Sequence, residues 1–480
     1  MLIASGTERQ IHAPGDGSVL GSVRDSTVDD VETAVEAARG ALDAWRSASP
    51  YERAAVLSRA AASLREQAED LGLLHARESG KVITQARREV LGAAALLEEN
   101  AHIGRFDAGY LAPTGALPGG ERDLTIVERV PLGVVACVIP FNFPVELTIE
   151  KAGAALAAGN TVILKPPPQN PLATLATAQA LVDAGLPSGV LTVLPGGSEV
   201  SAALCAAPGV DAVSLTGSVG AGVAVARATA HLLRPLHLEL GGNGAAVVMD
   251  DADLDLVVSE TLRGRLLMNG QACAATKRLV VHRSVASDVV ERIQAALSAV
   301  KTGDPADEAS DVGPLIDASS AERVAAQVAN AVAQGGTLVQ GEAAARDAWY
   351  PPALLDGVPA DADVAADDEI FGPVITTIPF DNDDESVRIV NRSQLALTAA
   401  VFSADLGRAM AVGEQFQVGG VVVNGTNNYR PPVVPFGGVG LAGTGREGIG
   451  YTYEDLTRTR FIAIKGLRPS GVPLRSATDE

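Results

Sequence analysis

The chain has 480 residues, enough for two or three compact units at roughly 150 residues per domain. Its 37 basic and 58 acidic residues give a net charge of −21, which repels phosphate backbones and anionic lipid heads and argues against nucleic acid or a membrane as partner. At 47% hydrophobic and 20% charged residues the composition is globular, and no apolar run approaches the eighteen or so residues of a membrane span.

Residues 1–10 combine neither a basic start with an apolar block nor a small-residue cleavage pattern, so no secretion signal is expected and the cytoplasm is the default location. From Val28 to Asn100 apolar residues recur at spacings of three and four, which predicts helices. Between Pro113 and Gly133, prolines and glycines flank the β-like run Leu124–Val130, which predicts a hairpin outside the main core. Strand-like runs follow at Gly133–Ile139, Thr161–Leu164, Val190–Leu194, Ala212–Leu215 and Leu236–Leu240, with helical stretches such as Pro171–Ala184 and Val219–Leu232 between them. Such alternation predicts a parallel sheet covered by helices. A second α/β stretch spans Gly241–Pro435, with runs at Ala245–Val248, Arg278–Val281, Val374–Pro379, Ala399–Phe402 and Gly420–Val423. A last β-like run, Arg460–Lys465, precedes a polar tail at 469–480.

Several side chains in this frame carry chemistry. Asn142 sits between aromatic rings and prolines, either as a turn former or as a positioned amide donor. Lys165 ends a buried strand, where ligands of open α/β sheets bind; it contacts a ribose or phosphate, or reaches solvent. Ser214–Gly222 follows a strand and opens a helix capped by Ser218, which suits a phosphate or a plain strand-to-helix turn. Glu239 is an acid at an apolar strand end, where desolvation raises its pKa toward that of a general base, unless it is an edge residue facing water. Cys273 lies among small residues that leave its sulfur approachable, whereas Cys137 and Cys205 read as core. Gly438–Gly443 matches GxGxxG, but the prolines before it and the turn-rich sequence after it make it a glycine loop. Neither the cysteines nor the six histidines have metal spacing, so no metal is expected.

Taken together, Pro140-Phe141-Asn142-Phe143-Pro144, Lys165-Pro166, Leu215-Thr216-Gly217-Ser218, Glu239-Leu240-Gly241-Gly242, Gly270-Gln271-Ala272-Cys273 and Glu369-Ile370-Phe371-Gly372-Pro373 resemble the aldehyde dehydrogenase superfamily in order and in the separation of acid and thiol. The resemblance covers nearly the whole chain. It implies two α/β domains, a Rossmann-like cofactor domain (1–112 and 132–240) and a catalytic domain (241–440), with a β element (113–131 and 455–468) that joins subunits into a homodimer or homotetramer. It implies oxidation of an aldehyde by Cys273, with Asn142 stabilising the oxyanion, Glu239 activating water and Lys151 in a supporting role. NADP or NAD would be held by Ile139, Pro140, Phe141, Lys165, Pro168, Gly196, Gly217, Ser218, Gly222, Leu240, Glu369 and Phe371. Relatives that pass the acyl group to coenzyme A generally lack the acid at Glu239, so a free acid is the expected product. A catalytically silent binding relative is the reading from another class, and retention of Asn142, Glu239, Cys273 and Glu369 together argues against it. Pro168 stands where NAD-preferring members often carry a glutamate, so NADP is expected to be accepted.

The corresponding substrate positions include Phe143, Glu146, Glu150, Arg430 and Phe436, whose charges point to a small polar aldehyde. Glu146 and Glu150 are four apart, hence on one helix face, and Arg430 either binds an anionic group on the substrate or pairs with a glutamate.

Overall fold

The computed structural model describes residues 2–107 and 109–467. A short antiparallel hairpin comes first, β1 (Glu8–His12) with β2 (Val19–Arg24). Four helices follow: α1 (Val28–Ser47), α2 (Pro50–Glu66), α3 (Ala68–Ser79) and α4 (Ile83–Phe106). Local chemistry sets their boundaries. Ser49 and Glu52 form a reciprocal cap at the start of α2, with Pro50 at the first helical position. Gly80, at φ +78°, ends α3 in the left-handed conformation that a side chain disfavours.

The chain then forms β3 (Tyr110–Ala112), β4 (Leu124–Pro131), β5 (Val134–Val138), α5 (Pro144–Thr148), a π-helical turn (Ile149–Gly153), α6 (Ala154–Ala157), β6 (Thr161–Lys165), α7 (Pro171–Asp183), β7 (Leu191–Val193), α8 (Ser198–Ala206), β8 (Ala212–Thr216), α9 (Val219–Thr229) and β9 (Leu236–Glu239). The parallel order β9-β8-β5-β6-β7 makes the first sheet. Every residue of β5 and β6 is buried, because helices cover both faces; this explains their unbroken apolar runs.

The second half contains β10 (Ala245–Val248), α10 (Leu254–Leu266), β11 (Arg278–His282), α11 (Ala286–Ser298), α12 (Ala318–Ala333), β12 (Thr337–Gln340), β13 (Ala353–Asp356), β14 (Val374–Phe380), α13 (Asp383–Asn391), β15 (Leu395–Ala396), β16 (Thr398–Phe402), α14 (Leu406–Gly413) and β17 (Gly420–Val423). Its sheet runs β12-β13-β14-β11-β10-β16-β17, with β12 alone antiparallel. The chain then crosses back through β18 (Val439–Gly440), β19 (Gly443–Thr444), α15 (Tyr451–Asp455) and β20 (Thr457–Ile464). The β19 strand adds antiparallel to the edge of the first sheet, with Gly443 opposite Glu239. The Gly438–Gly443 loop is therefore two strand fragments joined by a turn, and opens no helix.

The expected hairpin at 113–133 is corrected: β4 pairs with β3 on one side and with β20 on the other. Its longest partner is more than three hundred residues away, which no local turn signal reveals. The helix expected to reach Leu232 stops at Thr229 in a 3-10 turn, after which Leu233 is left-handed at φ +50°. The tail 469–480 lies outside the described residues. No helix among the described residues is long and apolar enough to cross a membrane.

Candidate active site

A cleft of about 820 Å³ is lined by residues at the carboxyl ends of both sheets. It brings together Ile139, Pro140, Phe141, Asn142, Phe143, Glu146, Lys165, Pro168, Gly217, Ser218, Glu239, Leu240, Cys273, Glu369, Phe371, Arg430 and Phe436. Four expected site residues are not on its wall. Gly222 instead packs α9 against the first sheet, where a Cβ would come within 2.6 Å of Leu240. Gly196, at φ +150°, makes the turn after β7 beside Val200. Lys151 and Glu150 belong to a buried charge cluster behind the cleft.

Cys273 sits in a tightly held loop. Met268, Asn269 and Gly270 are consecutively left-handed (φ 51°, 56° and 80°), a costly arrangement that its surroundings must impose. The Asn269 amide donates to the carbonyls of Gly80 and Pro314, both at 2.8 Å, and accepts from Gly313 N–H at 2.9 Å. A Cβ on Gly270 would come within 2.2 Å of the Gly372 carbonyl, so only glycine fits. Asn142 Nδ2 donates to the Gln271 carbonyl at 2.8 Å, which ties the amide to this loop on the cleft wall. Buried Lys277, unremarked in the sequence, donates to the carbonyls of Gly242, Ala272 and Cys273 at 2.6–2.7 Å and pairs with Glu369 at 2.9 Å.

Of the three cysteines only Cys273 is partly exposed. Burial pushes its thiol up to about 11, against the pull of Lys277 and Arg430, while Cys137 and Cys205 are pushed to about 12 inside the core. Glu239, at the end of β9, is 3% exposed and neither carboxyl oxygen has a partner among the described residues. Burial, reinforced by the negative charge of Glu447, holds its pKa well above the usual carboxylate range.

Glu447, a lone acid bridged antiparallel to Phe436 in a glycine-rich segment, organises the cluster. It accepts from Lys151 Nζ at 2.9 Å and from Arg430 Nη2 at 2.7 Å. Burial opposes its ionisation, but Lys151 and Arg430 prevail and its pKa is lowered. Arg430 also lies 3.6 Å from Glu146 and 3.9 Å from Glu150. Of the two roles open to Arg430, pairing with a glutamate is therefore the one observed. Glu150 is corrected as a substrate contact: it accepts from Gly448 N–H at 2.9 Å and from Thr452 Oγ1. Glu146 and Glu150 do share a face, both reaching Arg430, but Glu150 lies deeper, where the π-helical turn begins, and its Oε1 is taken by the 448–452 segment.

At the other end of the cleft, Lys165 is 3% exposed and its ammonium forms no hydrogen bond or ion pair among the described residues. Burial brings its pKa down to about 8, although Asp25 and Glu199 oppose the shift. Ser218 caps α9 by accepting from Ala221 N–H at 3.2 Å. The Pro168 carbonyl accepts from Arg9 at 2.8 Å.

Comparison with known proteins agrees with this geometry. The family model described as Aldehyde dehydrogenase family matches residues 3–462. The chain is 38% identical to the 3-sulfolactaldehyde dehydrogenase of Priestia aryabhattai, covering 92% of this chain and 91% of that protein. It is 35% identical to the succinate-semialdehyde dehydrogenase GabD of Escherichia coli, named for NADP(+), over 94% and 93%. The NADP-dependent glyceraldehyde-3-phosphate dehydrogenase of Bacillus halodurans, solved in complex with NADP, superimposes with a TM-score of 0.92 at 34% identity, covering 96% of each chain. With the thiol, amide and acid in one cleft and the match running almost end to end, the chain belongs to the aldehyde dehydrogenase family.

Proposed function

We propose that the chain oxidises a small polar aldehyde to its carboxylic acid with NADP or NAD. The observation that carries this reading is the approachable thiol of Cys273 sharing a cleft with the partnerless buried carboxyl of Glu239. A dinucleotide fits the residues present: Lys165 is a buried cation without a bonding partner, Ser218 opens a helix on the cleft wall, and Glu369 and Phe371 line the same wall. Gly217, Leu240 and the Ile139–Phe141 turn complete that binding set. No carboxylate stands at Pro168, so the 2′-phosphate of NADP meets no repulsion there.

The Cys273 thiol loses its proton to solvent and its sulfur attacks the aldehyde carbon; the carbonyl electron pair moves to oxygen. The Asn142 side-chain amide and the Cys273 backbone N–H receive that oxyanion, a contribution of roughly 10² to 10³ in rate for one donor. A nicotinamide held against Glu369, Phe371 and the Ile139–Phe141 turn would supply the hydride acceptor that this carbon needs. A thioester on Cys273 remains. Glu239 then takes a proton from water as the water oxygen attacks the thioester carbon, and the C–S bond breaks to release the acid and the thiol. Its raised pKa suits the exchange, since a base titrating nearer neutrality can take and return a proton within one cycle. Lys151 supports the site by neutralising Glu447.

The first sheet with its helices is read as the cofactor domain (1–112 and 132–240), the second as the catalytic domain (241–440). The β3-β4-β20 sheet is read as the subunit contact of a cytoplasmic homodimer or homotetramer, supported by exposed Tyr110, Leu111, Phe461 and Ile462. Relatives named for sulfolactaldehyde and succinate semialdehyde support a small aldehyde with a charged end. Reduced-cofactor absorbance on mixing with a panel of small aldehydes tests the reading, with NAD and NADP separately and Cys273→Ala as control. Turnover abolished in the control is expected; none in folded, cofactor-binding protein would overturn it.

A further inference from the structure

The cations on the cleft wall differ in what they already hold. Lys81 is fully buried, paired with Glu89 and seated 3.8 Å above the Phe143 ring. Arg430 is taken by Glu447. Arg323 donates to Ser320 Oγ at 3.0 Å, and Lys165 lies at the dinucleotide end. Arg88 alone is exposed with a side chain that has no hydrogen bond, ion pair or ring contact among the described residues.

Its position is fixed by α4. Gln85, Arg88 and Glu89 line the main cleft, while Gly92 and Leu96 on the same helix line an adjoining pocket shared with Glu146, Arg430 and Phe436. Spacings of three and four put these residues on one face, which looks onto the Arg430 loop and not toward the dinucleotide end. On that side Lys81 is paired with Glu89, Lys151 with Glu447, and Arg430 with Glu447 beside Glu146 and Glu150, so Arg88 is the cation there whose side chain is not already engaged.

We propose that Arg88 receives the anionic end of the substrate, a carboxylate, sulfonate or phosphate remote from the aldehyde, and thereby sets specificity. This rests on the aldehyde oxidation proposed above. A planar guanidinium suits such groups because its parallel N–H donors match paired oxygens.

The test compares Arg88→Ala and Arg88→Lys with the parent on succinate semialdehyde, glyceraldehyde 3-phosphate and neutral butanal. Arg88→Ala should raise KM for the two anionic aldehydes tenfold to a hundredfold, with kcat and the butanal constants nearly unchanged; Arg88→Lys should restore part of the loss. The two anionic substrates separate carboxylate from phosphate recognition. A second readout needs no turnover: succinate and 3-phosphoglycerate should slow alkylation of Cys273 by iodoacetamide, and Arg88→Ala should need at least tenfold more of either for the same protection. An unchanged anionic-to-neutral ratio together with unchanged protection would overturn the role of Arg88. If no aldehyde were turned over, the protection experiment alone would decide it, apart from the fate of the dehydrogenase reading.

Discussion

Replacing Glu447 by glutamine is a demanding check on the charge cluster. Its carboxylate serves two buried or part-buried cations, with Lys151 Nζ on one oxygen and Arg430 Nη2 on the other. Removing one member of a buried pair costs about 3–5 kcal/mol, chiefly because the survivor stays charged and unsolvated. Two stranded cations would double that figure, but the geometry argues against doubling. Lys151 has no other carboxylate in bonding distance among the described residues, whereas Arg430 keeps Glu146 at 3.6 Å and Glu150 at 3.9 Å. Glu447→Gln should therefore cost about 3–5 kcal/mol, and Lys151→Met less, since Glu447 retains Arg430. The double variant should cost about 2–3 kcal/mol less than the sum of the singles.

The two tryptophans allow this to be measured. Trp45, bonded to the Leu156 carbonyl at 3.1 Å, belongs to the helical layer that includes Ile149 and Ala152; Trp349 bonds to Gly15 far along the chain. In a Trp349→Phe background Trp45 becomes the sole reporter. A multidomain chain has no single unfolding free energy, so urea midpoints are compared across the four proteins at one concentration. With a slope of about 3 kcal/mol/M, Glu447→Gln should fall by about 1 M or more. A midpoint within about 0.2 M of the parent, or strictly additive losses, would refute the reasoning. The same variant should shift the acid limb of activity to lower pH, because the Glu447 charge helps to keep Glu239 protonated.

Pro168→Glu should reduce the NADP-to-NAD ratio of kcat/KM at least tenfold by placing a carboxylate against the 2′-phosphate; an unchanged ratio would remove position 168 from cofactor choice. Glu239→Gln should leave one rapid burst of reduced cofactor per active subunit and slow steady turnover by roughly 10² to 10⁴, and loss of the burst itself would place Glu239 in the first half-reaction as well. Only the thiolate alkylates and the Cys273 thiol sits near 11, so without cofactor its iodoacetamide rate should climb about tenfold per pH unit from 7 to 9. Levelling below pH 8 would show a thiol far more acidic than its burial implies.

Strands buried on both faces were the most legible part of the fold: Val134–Val138 is apolar throughout because helices lie on either side. The hairpin Glu8–His12 with Val19–Arg24 escaped notice because both strands are mostly exposed and only Ile11 and Val23 are buried, too few to reveal a period of two. At the site, Cys273, Asn142 and Glu239 could be read because each is an odd polar or reactive residue in an apolar or small-residue setting. Glu447 could not, since its meaning lies in Lys151, 296 residues earlier. Arg430 was seen, but its choice of partner depends on Glu447 and stayed open. The shared face of Glu146 and Glu150 is legible from their spacing, but the partners that occupy Glu150, Gly448 and Thr452, lie about three hundred residues on and leave no local signal.

The crossing of the chain back from the second sheet bears on how the protein is made. Strand β19 finishes the edge of the first sheet beside Glu239, Glu447 neutralises Lys151, and β20 pairs with β4. All three arrive from residues 443–464, after the whole second sheet has been synthesised. On the ribosome the first lobe can collapse early, but it must wait with an open sheet edge and an unpaired buried lysine. Such long-range closure slows folding and leaves a strand edge free to meet a neighbouring nascent chain. A lobe cut off before residue 443 is therefore expected to aggregate and not to fold as a free domain.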